Sequence, residues 1–176
     1  MARTVEAFKT ALEDGKMIVG LEPSCTLMFR DEAVNLIPGW TTDMGAKILT
    51  FAEYLRDHPV AGALNQDTEV LVHGHCHQKA MGVADATVDV LNQLGGVSAR
   101  MIESSCCGMA GPFGYQAETE AISREMAELS LAPAVRAAAN ETIIVADGFS
   151  CRCQIGDVTS RSAQSLAKFV DVATSP

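Results

Sequence analysis

Three short runs that read as β-strands, at residues 69–73, 97–102 and 142–146, are separated by stretches with helical periodicity. Each run is followed within a few residues by cysteine: Cys76, the doublet Cys106-Cys107, and Cys151 with Cys153. Runs of this length, rich in Val and Ile and alternating with helices, define βαβ units. The predicted fold is therefore α/β, a parallel sheet with helices on both faces. All strand C-termini then share one edge, which is where ligands bind in such sheets. Five thiols directed to one edge suit a metal or an iron–sulfur centre better than apolar packing.

The helices between the runs follow from their stripes. Val5, Phe8 and Leu12 line a first helix that Gly15 can end. Ile48, Leu49, Ala52 and Leu55 form a second helical stripe, ending near His58-Pro59. Val88 and Leu91 face inward over 84–94, and Ile122, Met126 and Leu129 over 117–131, with Pro133 beyond the end. Leu166, Ala167 and Val170 mark a terminal helix. A further short strand at 17–21 runs into Glu22-Pro23-Ser24-Cys25.

That first strand has an echo. The segment Ile18 to Cys25 resembles Ile144 to Cys151, and both end a strand in Ser-Cys. Two related halves account for this. Residues 1–64 are then a remnant of the first half with a connecting helical segment, and 65–176 the complete second half. The first half lacks counterparts of Cys76 and Cys106-Cys107. On this reading the chain is part of a longer polypeptide or one subunit of a split protein. Apolar surface left open by the missing half can be covered by homodimerisation.

Composition narrows the function. The formal charge is −9 over 176 residues, with no basic stretch, so nucleic acid is not the expected partner. No apolar run approaches the roughly 20 residues of a membrane span. The N-terminus lacks the apolar centre of a signal peptide, which makes a cytoplasmic setting the expectation. In a reducing compartment six cysteines are ligands or catalysts more readily than disulfides.

The motifs Glu22-Pro23-Ser24-Cys25, His75-Cys76-His77-Gln78-Lys79, Ser105-Cys106-Cys107-Gly108-Met109-Ala110-Gly111 and Gly148-Phe149-Ser150-Cys151-Arg152 together resemble the cysteine-rich CCG-domain family. That family includes the cysteine-rich subunit of heterodisulfide reductase and the iron–sulfur subunits of glycolate oxidase, lactate utilisation proteins and anaerobic glycerol-3-phosphate dehydrogenase. The likeness is nearest to the C-terminal part of large FAD-linked oxidases. Here 29 residues separate Cys76 from Cys106 and 43 separate Cys107 from Cys151. The last pair is C-x-C where the family has C-x-x-C, which shifts Cys153 by one position.

The resemblance implies an iron–sulfur cluster (4Fe-4S, in cubane or non-cubane form) on Cys76, Cys106, Cys107, Cys151 and Cys153. It implies FAD on another domain or partner, a ferredoxin-like domain beside it, and electrons from a small 2-hydroxy acid or similar substrate. Reduction of a thiol or disulfide at the cluster is a second role it allows. Zinc in a structural or docking domain is the alternative, since cysteine and histidine also build closed tetrahedral sites. Cys25 is a sixth candidate ligand or a redox thiol. Cys25, His75 and His77 are the candidate catalytic residues, while His73, inside a strand, reads as core. Lys79, Arg30 and Arg152 are cations placed to lower thiol pKa values or brace loops. The turn at 111–114 offers N–H groups to sulfide or carboxylate. A chain with this content is expected to turn over poorly without a flavin partner.

Overall fold

In the computed structural model, which describes residues 2–175, two parallel sheets carry the chain. The larger is built from β3 (Ala63–Val72), β4 (Gly95–Met101), β5 (Ile143–Val145) and β6 (Ala163–Gln164), in the order β4-β3-β5-β6. Every pair is parallel, with Leu71 opposite Arg100 on one side and opposite Ile144 on the other.

Strand alternation sorts the side chains into two cores. Val70, Val72 and Val145 point to one face. There they meet α5 (Phe51–Asp57), α7 (Asp85–Gln93) and α11 (Leu166–Thr174) through Leu55, Val90, Leu91 and Phe169. Leu71 and Ile144 point to the other face, against α9 (Leu131–Ala137) and α10 (Phe149–Thr159) through Leu131, Val135 and Ile155. Helices thus cover both faces, as expected.

The smaller sheet pairs β1 (Ile18–Gly20) with β2 (Ile48–Thr50). Its core gathers Leu12 of α1 (Ala2–Glu13) with Phe29, Ala33, Trp40 and Ile48. Phe29 lies between Phe8 and Trp40, with ring centroids 4.9 and 5.4 Å away, and its carbonyl accepts the Trp40 indole N–H at 2.8 Å. Between β1 and β2 run α2 (Pro23–Leu27), α3 (Ala33–Leu36) and α4 (Thr42–Ala46). Helix α5 ties the two sheets, since it follows β2 directly and packs Ala52 and Leu55 into the larger core.

Two elements differ from expectation. The predicted helical stripe from Ile48 is a strand and then a helix: Ile48–Thr50 pairs with β1, and Thr50 caps α5 through a box with Glu53. A three-residue strand has too few side chains to show its period. The predicted helix at 117–131 ends earlier, as α8 (Glu120–Glu128), and Pro133 lies in the first turn of α9, where a missing N–H costs nothing. Ile122 and Leu129 face solvent at 51% and 76% exposure, whereas Ser123 and Ala127 are the buried pair. Small residues face inward because α8 lies close against the loop that follows β4.

Among the described residues no helix is long and apolar enough to cross a membrane.

Candidate metal centre

The chain leaves β3 toward β4 on one side and returns to β5 on the other. The crevice between β3 and β5 at their carboxyl ends is therefore a topological switch point. The loops after β3, β4 and β5 meet there. Each is shaped by a local device.

After β3, His75 is the N-cap of α6 (Cys76–Ala80). Its Nδ1 accepts the His77 N–H at 3.2 Å, and its own N–H donates to Gln78 Oε1 at 3.1 Å. Cys76 is thereby placed in the first helical turn. After β4, Gly108 adopts φ +90, and a Cβ on it would lie 2.2 Å from the Ser123 carbonyl. Its N–H turns back to donate to Cys106 Sγ at 3.3 Å. After β5, Cys151 sits in the first turn of α10, whose N-cap is Gly148. A Cβ on Gly148 would be 2.5 Å from the His75 ring and 3.0 Å from Cys151 Sγ. Glycine there lets the two loops touch.

These devices place four sulfurs in a row. Cys76 neighbours Cys106, Cys106 neighbours Cys107, and Cys107 neighbours Cys151. His73 closes the row beside Cys151. Adjacent thiolates repel, so the row alternates. Hydrogen bonds from Cys107 and Cys76 hold Cys106 well below the ordinary thiol range. The Cys107 hydrogen bond lowers Cys151 against the effect of its burial. The same contacts, with burial, push Cys76 and Cys107 up. Four neighbouring sulfurs form a donor set for a cation, which displaces their protons as it binds.

The donor atoms of His73, Cys107 and Cys151 all lie within 4.8 Å of one another, and all three residues are buried. Sequence reasoning assigns His73 to the core. It is 1% exposed, but it lies one residue beyond β3, with its ring at the thiol row and not in apolar packing. The signal that would have found it is its place in the run His73-Gly74-His75-Cys76, at a strand end rather than within a strand.

The other expected site residues lie around this row. Cys153 follows Cys151 by two helical positions and so faces away from it. Its thiol neighbours the Tyr115 hydroxyl. Cys25 is exposed in the first turn of α2, beside a cleft lined by Phe8, Ile18 and Phe29. Burial raises its pKa, and Glu22 adds to this. His77 turns toward Asp31, with Nε2 3.5 Å from the carboxylate. Lys79 Nζ donates to the carbonyls of Ser104 and Ser105, clamping α6 to the loop after β4. Arg152 donates to the carbonyls of Ala146 and Asp147 at 2.9 and 2.6 Å, bracing the end of β5. Arg30 pairs with buried Glu53 at 2.8 Å. In the turn at 111–114, the N–H groups of Phe113 and Gly114 are spent on Ala110 and Met109 carbonyls.

Glu22, in the sequence only the first residue of the Glu22-Pro23-Ser24-Cys25 motif, reaches two helix starts. Its carboxylate accepts from Ser24 Oγ at 2.6 Å and Cys25 N–H at 2.8 Å, and from Phe149 N–H at 3.4 Å. One side chain thus joins the start of α2 to the start of α10.

The strand-end thiols and their loops lie within residues 70–156, which match the family model described as CCG, a cysteine-rich domain. Over 161 residues the chain is 27% identical to D-2-hydroxyglutarate dehydrogenase from Pseudomonas putida, covering 90% of this chain and 15% of that protein. The enzyme of that name from Escherichia coli K12 is 26% identical, over 87% of this chain and 15% of its own length. A subunit of the anaerobic glycerol-3-phosphate dehydrogenase of Escherichia coli K12 is 30% identical over 94 residues, 52% of this chain and 23% of that subunit. The chain therefore spans less than a quarter of the length of these relatives. No solved structure matches it.

Proposed function

We propose that this chain is the cysteine-rich electron-transfer module of a flavin-dependent dehydrogenase. On this reading it holds an iron–sulfur cluster on Cys76, Cys106, Cys107 and Cys151. The row of four sulfurs at the switch point is the observation that supports it. The relatives are named as dehydrogenases or as a dehydrogenase subunit, which supports a redox role. A cluster supplies one-electron storage there. This chain's own residues hold it beside the apolar cluster that Met109 and Ile102 share with Cys107 and Cys151, and offer a rim of exposed Cys76, half-exposed Cys106 and Phe149 to a partner. Oxidation of a small 2-hydroxy acid or similar substrate, with its FAD, then belongs to another domain or subunit.

The shared placement of Cys25 and Cys151, each in the first turn of the helix after its strand, supports the two-halves reading. Cys25 remains an accessible redox thiol or a ligand of a second site.

Anaerobic reconstitution with iron and sulfide tests the proposal. The wild-type chain should retain both, with a paramagnetic signal on reduction, and Cys106→Ser with Cys107→Ser should lose them. Zinc is the second reading, favoured by the mixed nitrogen and sulfur donors of His73, Cys107 and Cys151. One tightly held zinc in colourless protein prepared without oxygen would establish it instead.

A further inference from the structure

Resting on the reading of the thiol row as a metal centre, we propose that His73 is a ligand of that centre through Nε2. Lys79 and Ser104 act as its positioning residues.

The argument starts from an unpaired atom. His73 is 1% exposed, and its Nε2 has no hydrogen-bond partner among the described residues. Buried polar nitrogens are satisfied in the great majority of cases, and an exception calls for a function or a missing partner. The ring cannot turn away, because Nδ1 is engaged with Ser104 Oγ at 3.0 Å. The backbone is held too: the His73 N–H donates to the Val145 carbonyl at 2.8 Å, extending the β3–β5 ladder by one residue.

The hydrogen bonds around Ser104 select the tautomer. Lys79 Nζ lies 3.3 Å from Ser104 Oγ and can only donate. The Ser104 hydroxyl has its own acceptor, the Ile102 carbonyl, at 3.4 Å. Its oxygen is then an acceptor toward His73, so the ring proton sits on Nδ1. That leaves the Nε2 lone pair bare. A neutral imidazole with its far nitrogen tied to an oxygen is the form in which histidine binds metals.

With Nδ1 held by Ser104, Nε2 is the ring nitrogen left to bind a metal. Its ring lies with Cys107 and Cys151 in a set whose donor atoms are all within 4.8 Å of one another. Metal–sulfur bonds of about 2.3 Å and metal–nitrogen bonds of about 2.0 Å put tetrahedral donor atoms about 3.5–4 Å apart. Small side-chain adjustments reach that spacing. A neutral nitrogen leaves the centre less negative than a thiolate would, and so raises its reduction potential.

The test uses the full chain, reconstituted anaerobically with iron and sulfide and grown with isotopically labelled histidine. Hyperfine spectroscopy of the reduced centre should show strong coupling to one histidine nitrogen. His73→Gln and His73→Cys should abolish that coupling, and the cysteine variant should keep the cluster at a lower potential. Ser104→Ala should keep the coupling but shift the potential. If the chain takes zinc instead, imidazole scattering at the zinc X-ray absorption edge is the corresponding readout. A loaded centre without nitrogen coupling or scattering overturns the assignment while leaving the thiol centre intact. Coupling that survives in His73→Gln overturns it too. A chain that retains neither iron, sulfide nor zinc removes the metal centre itself, and the ligand with it.

Discussion

Gly108 shows how much one residue carries here. Its φ of +90 and the Ser123 carbonyl 2.2 Å from any added Cβ leave room for hydrogen alone. Gly108→Ala should lower stability by about 2 kcal/mol or more, read from chemical denaturation, and should displace the Cys106 thiol that its N–H holds. Cys153 makes the opposite case. It lies on the far side of α10 from Cys151, so Cys153→Ser should retain the metal at wild-type stoichiometry, while Cys151→Ser should lose it. The cysteines can be read as candidates from spacing alone. Which of them meet cannot, because a helix separates Cys151 and Cys153 in direction, and nothing in the one-letter pattern Cys-Arg-Cys announces that a helix begins at Phe149. His73 is hidden for a related reason. An isolated histidine after Val70, Leu71 and Val72 looks like a core residue until the strand is seen to stop one position earlier.

Among the elements, the join between β2 and α5 depends on a buried ion pair. Glu53 accepts from Arg30 at 2.8 Å and from Thr50 N–H at 3.0 Å, and its side chain is 8% exposed. Burial works to raise its pKa. The Arg30 guanidinium and the Thr50 donors outweigh that and hold the carboxyl below its usual range. A carboxyl lowered in the folded state contributes stability above its unfolded pKa, near 4.3, and loses it as pH falls through the folded value. Glu53→Gln should therefore destabilise the chain by about 3 kcal/mol at neutral pH. The gap to wild type should narrow below about pH 4, as thermal unfolding across a pH series would show. The same join explains why β2 resembles helix in the sequence. Ile48, Leu49, Ala52 and Leu55 fall on a helical stripe, and only pairing with β1 makes the first of them strand.

At the scale of the whole molecule, loops from three strands are closed around one row of sulfurs, so on the proposed reading metal binding and folding are coupled. A ligand that binds only the folded state stabilises it by about 2.7 kcal/mol at a hundredfold excess over its Kd. The loaded chain should therefore melt at a higher temperature than the stripped one, and a chelator should reverse the gain. Loading should weaken as pH falls, because protons compete for the thiolates. A melting temperature indifferent to metal would show that the folded chain does not bind it in preference to the unfolded one.

Much of this was present in the chain as written. Val and Ile runs of strand length, helical stripes between them and cysteines at the run ends fix a parallel α/β sheet and its functional edge, because periodicity and propensity are local properties. The sulfur row, the tautomer of His73 and the reach of Glu22 from one helix to another were decided only by the tertiary structure. They depend on strand order and on where each helix starts, and those are settled by contacts between residues far apart in sequence.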